Sequence, residues 1–148
     1  MAPVPEPALI PYLAFEDAAA AIDFYVRAFG GTETLRLPMP GGRIGHAEMR
    51  IGPSLIMLSD EAPDYGALSA THYGGSPISL LLYVEDVDAF VARAESAGAK
   101  IIRPVADQFY GDRSGVLLDP FGYKWSIATH VEDVPPEEMK RRMAELYG

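Results

Sequence analysis

The chain has no cysteine, which removes disulfide frameworks, thiolate metal sites and cysteine nucleophiles together and leaves no mark of an oxidising compartment. Positive charge is also scarce: 12 Lys and Arg stand against 21 Asp and Glu, for a formal net charge of -9. Phosphate backbones and anionic bilayers repel such a surface, and the only basic run is Lys140-Arg141-Arg142. Neither a nucleic-acid partner nor a membrane is therefore expected. The start, MAPVPEPALIPYL, lacks both a charged n-region and a long apolar run, so it reads as neither signal peptide nor anchor, and a cytoplasmic location is expected. Phosphate loops, dinucleotide-binding glycine turns and Ser/His/Asp signatures are missing as well; Gly30-Gly31, Gly41-Gly42 and Gly74-Gly75 read as turn glycines.

What is present suffices for a core. The 148 residues are 49% hydrophobic, which fits one domain able to bury a sizeable interior. Ile10 to Phe15 reads as a strand, and Asp17 caps a helix whose residues Ala18, Ala21, Ile22, Tyr25, Ala28 and Phe29 recur at helical spacing up to Gly30-Gly31. Thr32 to Leu37, Arg43 to Ile51 and Leu55 to Leu58 follow as strands. In the second of these, Ala47, Met49 and Ile51 share one face, and His46, Glu48 and Arg50 the other. Ser59 to Pro77 is a long connection rich in Asp, Ser, Gly and Pro. The pattern then starts over: a strand from Ser79 to Val84, a helix through Val87, Phe90, Val91 and Ala94 to Gly98, and a strand from Ile101 to Val105.

The stretch Gln108 to Gly122, QFYGDRSGVLLDPFG, closes the second round. It is the first candidate for a ligand-contacting segment. Gln108, Tyr110, Asp112 and Arg113 offer an amide, a phenol, a carboxylate and a guanidinium around Gly111, where the backbone can bend or approach another group closely. The alternative is that Asp112 and Arg113 only pair across a surface turn. Gly115 to Leu118 then forms a strand, Asp119-Pro120-Phe121-Gly122 a turn, and Tyr123 to Thr129 the last strand.

Laid over each other, YLAFED (Tyr12 to Asp17) and LLYVED (Leu81 to Asp86) match at an offset of 69 residues, which also puts Met57 on Ser126. This reads as an internal duplication. The expected fold is α+β: two paired β-α-β-β-β modules with curved sheets around a cavity and helices outside, plus a C-terminal helix. Residues 1–148 form a single domain on this reading, with module one at about 8–59, the connection at 60–77, module two at about 78–130 and the helix at about 135–147. In that helix Met139, Met143, Leu146 and Tyr147 form an apolar stripe that must dock, on its own domain or on a second subunit. A homodimer is the expected assembly.

The paired units, the stretches AFEDAAAAIDFYVRAFGG and YVEDVDAFVARAESAGA, and the closing DPFGYKWSI resemble the vicinal oxygen chelate superfamily of glyoxalases, bleomycin-resistance proteins and extradiol dioxygenases, and within it the PhnB-like branch. Some members of that branch carry a methyltransferase label, for which this sequence offers no nucleotide-cofactor signature. The resemblance implies a divalent metal held by His, Gln or Glu from the first and last strands of each unit. The corresponding positions here are Ile10, Met57, Ser79 and Ser126. None is a credible ligand for a hard divalent ion, so no metal or other cofactor is expected.

Strand parity puts Tyr12, Leu81, Tyr83 and His130 on the same side as those four positions, while Leu13, Phe15, Leu82, Val84, Trp125 and Ile127 pack beneath the helices. His46 and Glu48 turn to the open side too, as a hydrogen-bonded pair, an acid/base pair or part of a relocated metal site. His72, in the long connection, reads as a solvated histidine. The expected function is binding or sequestering of a small organic ligand, aromatic or cationic, by Tyr12, His46, Glu48, Tyr83, Gln108, Tyr110, Asp112 and Arg113, with no catalytic residue assigned. The alternatives are a metal-dependent lyase or dioxygenase with its metal at His46 and Glu48, joined by His130, and a regulatory module with a vestigial pocket.

Overall fold

Two aspartates begin the two helices that the duplication pairs. In the computed structural model, which describes residues 1–148, Asp17 accepts from Ala20 N at 3.1 Å to open α1 (Ala18–Phe29), and Asp86 accepts from Ala89 N at 3.1 Å to open α2 (Val87–Ala97). Each carboxylate satisfies a backbone donor that the first turn of a helix leaves free. Gly30, at φ 67, ends α1 in the left-handed conformation that a side chain would resist.

The chain divides into two compact units, Met1–Ser76 and Pro77–Gly148. The first contains β1 (Tyr12–Phe15), α1, β2 (Thr32–Pro38), β3 (Ile44–Ile51) and β4 (Ser54–Asp60), in the sheet order β1-β4-β3-β2. The second contains β5 (Ser79–Tyr83), α2, β6 (Lys100–Asp107), β7 (Asp112–Leu118) and β8 (Lys124–His130), in the order β5-β8-β7-β6, followed by α3 (Pro136–Tyr147). Only the outer pairs β1/β4 and β5/β8 are parallel. The expected β-α-β-β-β unit thus occurs twice with one topology.

Register confirms the 69-residue offset. Tyr12 lies opposite Met57, and Leu81 opposite Ser126. In the first unit the carboxylate of Asp60 accepts from Ala18 N at 2.8 Å and Ile44 N at 2.6 Å, tying β4 to the start of α1 and of β3. In the second, Thr129 takes the place of Asp60: its hydroxyl accepts from Val87 N at 2.9 Å and donates to Val84 O at 2.9 Å. One device, a polar end of the last strand holding the helix N-terminus, is built from two chemistries.

Each sheet buries one face. Ala21, Ile22, Tyr25, Ala28 and Phe29 of α1 are buried together with Leu13, Phe15, Ala47, Met49, Ile51 and Leu58, and Phe15 meets Tyr25 edge-on at 6.1 Å. In the second unit Val87, Val91 and Ala94 are buried with Leu82, Leu117, Trp125 and Ile127. Burying each large apolar side chain stabilises by about 1.5–3 kcal/mol, so these faces fix the register of every strand they carry. The turn after β7 is held by Asp119, which accepts from Phe121 N, Tyr123 N and the indole of Trp125 at 2.9–3.0 Å.

Three expectations need correction. β7 begins at Asp112 rather than Gly115, because Gln108 N bonds Asp112 O and Asp112 pairs with His130, so the ladder extends into the polar loop. β4 runs to Asp60, taking two residues from the long connection, which itself carries short 3-10 turns at Pro63–Tyr65 and Ala70–Tyr73. Finally, α3 does not bury its apolar stripe on its own domain: Met143, Leu146 and Tyr147 are exposed and Met139 only half-buried. Polar contacts hold the helix instead, since Arg142 donates to Phe109 O at 2.9 Å and to Glu132 at 2.8 and 3.2 Å.

Candidate functional site

The alternation of β3 carries its polar residues away from the helix. With Ala47, Met49 and Ile51 buried, His46 and Glu48 stand half-buried on the opposite face of the sheet. Glu48 lies opposite Met57 of β4, and Met57 opposite Tyr12 of β1, so one row crosses three strands. From its end the Tyr12 hydroxyl reaches back to His46 Nδ1 at 2.6 Å, while His46 Nε2 meets Glu48 Oε2 at 2.8 Å. A carboxylate can only accept, so Nε2 carries the proton when the ring is neutral, and Nδ1 is left to accept from the phenol. The chain Tyr12–His46–Glu48 is therefore ordered in direction as well as in space.

The second unit builds a different cluster on its open face. Asp112 is only 5% exposed, yet its carboxylate accepts from the Tyr83 hydroxyl at 2.6 Å and from His130 Nδ1 at 2.9 Å. His130 Nε2 meets Asp133 at 2.6 Å. The hydrogen bond to Asp112, aided by burial, raises the Tyr83 phenol above its ordinary value. Hydrogen bonds to Asp112 and then Asp133 raise His130 in the same sense, because both carboxylates favour the imidazolium. Gly111 sits where the chain after His130 folds back: its carbonyl accepts from Val131 N and Glu132 N, and an added Cβ would collide with the Glu132 carbonyl oxygen. This is the close approach that its missing side chain permits.

The other proposed contacts separate from these clusters. Asp112 and Arg113 are neighbours on a strand and so point to opposite faces. Arg113 turns to the helix side, where it bonds Asp88 at 2.9 and 3.0 Å and Asp107 at 3.2 Å; Asp88 is held below its usual carboxylate range by that guanidinium. The alternative reading, an ion pair between Asp112 and Arg113, is thus not formed. Gln108 folds its amide onto Ala106 O at 3.2 Å, and Tyr110 is half-buried with its ring edge-on to Phe109 at 5.3 Å. His72 is exposed, its ring against Tyr73. Sequence reasoning missed Asp133, which lies beyond the last strand and offers no periodic signal.

Residues 10–127 match the family model described as Glyoxalase/Bleomycin resistance protein/Dioxygenase superfamily. The chain belongs to that superfamily. Among its relatives, the uncharacterized protein Mb0911c of Mycobacterium bovis is 44% identical over 142 residues, covering 94% of this chain and 93% of its own. Of solved structures, TioX from Micromonospora sp. ML1 is 31% identical with a TM-score of 0.68, covering 83% of this chain and 98% of that one. A PhnB protein from Bacillus cereus, described as a putative 3-demethylubiquinone-9 3-methyltransferase, is 18% identical with a TM-score of 0.63, covering 82% and 98%; at that distance it shares the fold alone.

The metal that membership of the superfamily implies can be tested against the residues present. Met57 and Ser126 occupy equivalent places on β4 and β8, and Ser79 lies two residues before Leu81 on β5; Ile10 precedes β1. A thioether, two hydroxyls and an alkyl group do not make a site for a hard divalent ion. No group of three or more His, Asp or Glu side chains is arranged as metal ligands elsewhere. At His46 both ring nitrogens are already engaged, so an ion there would have to displace Tyr12 or Glu48.

Proposed function

We propose that this superfamily member binds or sequesters a small, flat, aromatic ligand bearing positive charge, and does so without a metal. The observation that carries the reading is the presentation of Tyr12 and Tyr83. Each lies on the open face of its own sheet, 54% and 53% exposed, and each is held by its hydroxyl in a cluster containing a histidine and a carboxylate. A phenol fixed at its tip offers a rigid ring face at low entropic cost, which is how apolar ligands are gripped. Glu48, Asp112 and Asp133, within a chain of net charge -9, favour a cationic group on that ligand.

The first test is elemental analysis of the purified protein together with thermal-shift titrations of Ni, Zn, Mn and Fe(II) on stripped protein. Absence of metal and no upward shift are expected; a stoichiometric ion or a large shift with one metal would move the reading to a metal-dependent lyase or dioxygenase. A panel of aromatic cationic antibiotics then serves as probe, with Tyr12→Phe and Tyr83→Ala each expected to weaken binding at the open face of its own sheet. The same proposal includes a homodimer, with the exposed stripe of α3 at its contact, and a cytoplasmic location. Sedimentation at high concentration that shows monomer only would remove the dimer.

A further inference from the structure

The directed chain Tyr12–His46–Glu48 has the order of a nucleophile, its base and the group that orients the base. The hydroxyl is 2.6 Å from an imidazole nitrogen whose ring is held on the other side by a carboxylate at 2.8 Å. Such an arrangement activates a hydroxyl whatever fold carries it, because the base can take the proton as the oxygen attacks. Tyr12 is 54% exposed, whereas His46 and Glu48 are half-buried. Tyr83 offers the contrast. Its hydroxyl donates to a carboxylate, and that bond raises its pKa, so the phenol in the second unit is held protonated rather than activated.

We propose that Tyr12 is a nucleophilic phenol that accepts acyl groups from carboxylic esters, with His46 as its general base and Glu48 as the positioning residue. In the first half-reaction Tyr12 Oη bonds to the carbonyl carbon while its proton passes to His46 Nδ1. The bond from that carbon to the alcohol oxygen breaks, and the departing alcohol takes the proton back from Nδ1. Water then attacks the tyrosyl ester with His46 Nδ1 as base; the carbon–Oη bond breaks and the phenol recovers its proton. The net change is ester plus water to acid plus alcohol. This assignment stands independently of the non-covalent ligand, because it concerns the reactivity of one side chain.

The test is acylation of the intact protein by p-nitrophenyl acetate at neutral pH, with release of p-nitrophenolate followed optically and modified residues located by peptide mass mapping. Tyr65 and Tyr73, at 90% and 66% exposed, are more accessible than Tyr12 and serve as internal controls. Tyr12 is expected to be acetylated faster than these by on the order of 10²-fold, the scale of a positioned general base. His46→Ala should erase that preference while the phenol remains, Glu48→Gln should reduce it in part, and Tyr12→Phe should remove the fast release of p-nitrophenolate. Labelling of Tyr12 no faster than of the two control tyrosines in the unaltered protein overturns the proposal without recourse to any variant. So does a preference that survives in a folded His46→Ala protein.

Discussion

The phenol of Tyr83 donates to Asp112 at 2.6 Å, and the same buried carboxylate receives Nδ1 of His130 at 2.9 Å. Asp112 therefore joins β5, β7 and β8 at one end of the second sheet, and its burial is tolerable because both oxygens are used. Replacing it with Ala removes both bonds at once. Asp112→Ala is expected to lower stability by about 1–3 kcal/mol, the usual cost of breaking a buried hydrogen-bonded network. Urea unfolding of the two proteins measures it; an unchanged midpoint would mean that the carboxylate does not tie the strands.

His130 supplies a pH dependence with a definite sign. Its folded pKa lies above the ordinary histidine value through Asp112 and Asp133, so the folded state binds the proton more tightly than the unfolded chain does. The contribution to stability is complete below about pH 6.5, the unperturbed value, and fades as pH rises through the raised one. The imidazole is half exposed, so solvent screens the effect. Two-dimensional NMR should show His130 titrating above the ordinary value, and Asp133→Asn should bring it down. A His130 that titrates at or below the ordinary value would contradict the geometry.

How far the sequence could carry these features depends on whether they are periodic. The open-side placement of His46 and Glu48 follows from period-two burial of Ala47, Met49 and Ile51, which one strand displays by itself. The contact of His46 with Tyr12 does not, because β1 and β3 meet only through β4, and a separation of 34 residues records nothing of sheet order. Asp112 and Arg113 were legible as polar neighbours, but their roles turned on where the strand begins. Once the ladder starts at Asp112, alternation sends the carboxylate to one face and the guanidinium to the other. Asp133 and Arg142 act through a chain segment folded back on Gly111, a close approach that the glycine permits but does not announce.

The attachment of α3 rests on Arg142 rather than on apolar packing. Its guanidinium bridges Phe109 O, Glu132 and Glu138, while the apolar residues of the helix stay largely outside. Glu138 is pulled down to about 2 by Arg141 and Arg142, so the bridge stays ionised through the neutral range. Arg142→Ala is expected to free the helix: amide hydrogen exchange across 136–147 should accelerate at least severalfold while exchange in β7 and β8 is unchanged. Protection of α3 that persists in the variant would show that its apolar residues hold it instead, as they would in a dimer.

The paired devices Asp60 and Thr129 predict unequal costs from one position in the duplication. Asp60 is buried and satisfies two backbone donors, Ala18 N and Ile44 N. Removing the carboxylate in Asp60→Ala strands both, at roughly 1–3 kcal/mol each, so a loss of about 3 kcal/mol is expected. Thr129 satisfies one donor, Val87 N, and its own proton goes to Val84 O. Thr129→Val keeps the shape and removes these bonds, with a loss of about 1 kcal/mol, that of an ordinary N-terminal cap. Chemical denaturation of both variants decides between a difference of chemistry and a difference of position. Equal losses would mean that closing the strand end onto the helix matters and the charge on Asp60 does not; the hydrogen-bond geometry requires the first unit to lose more.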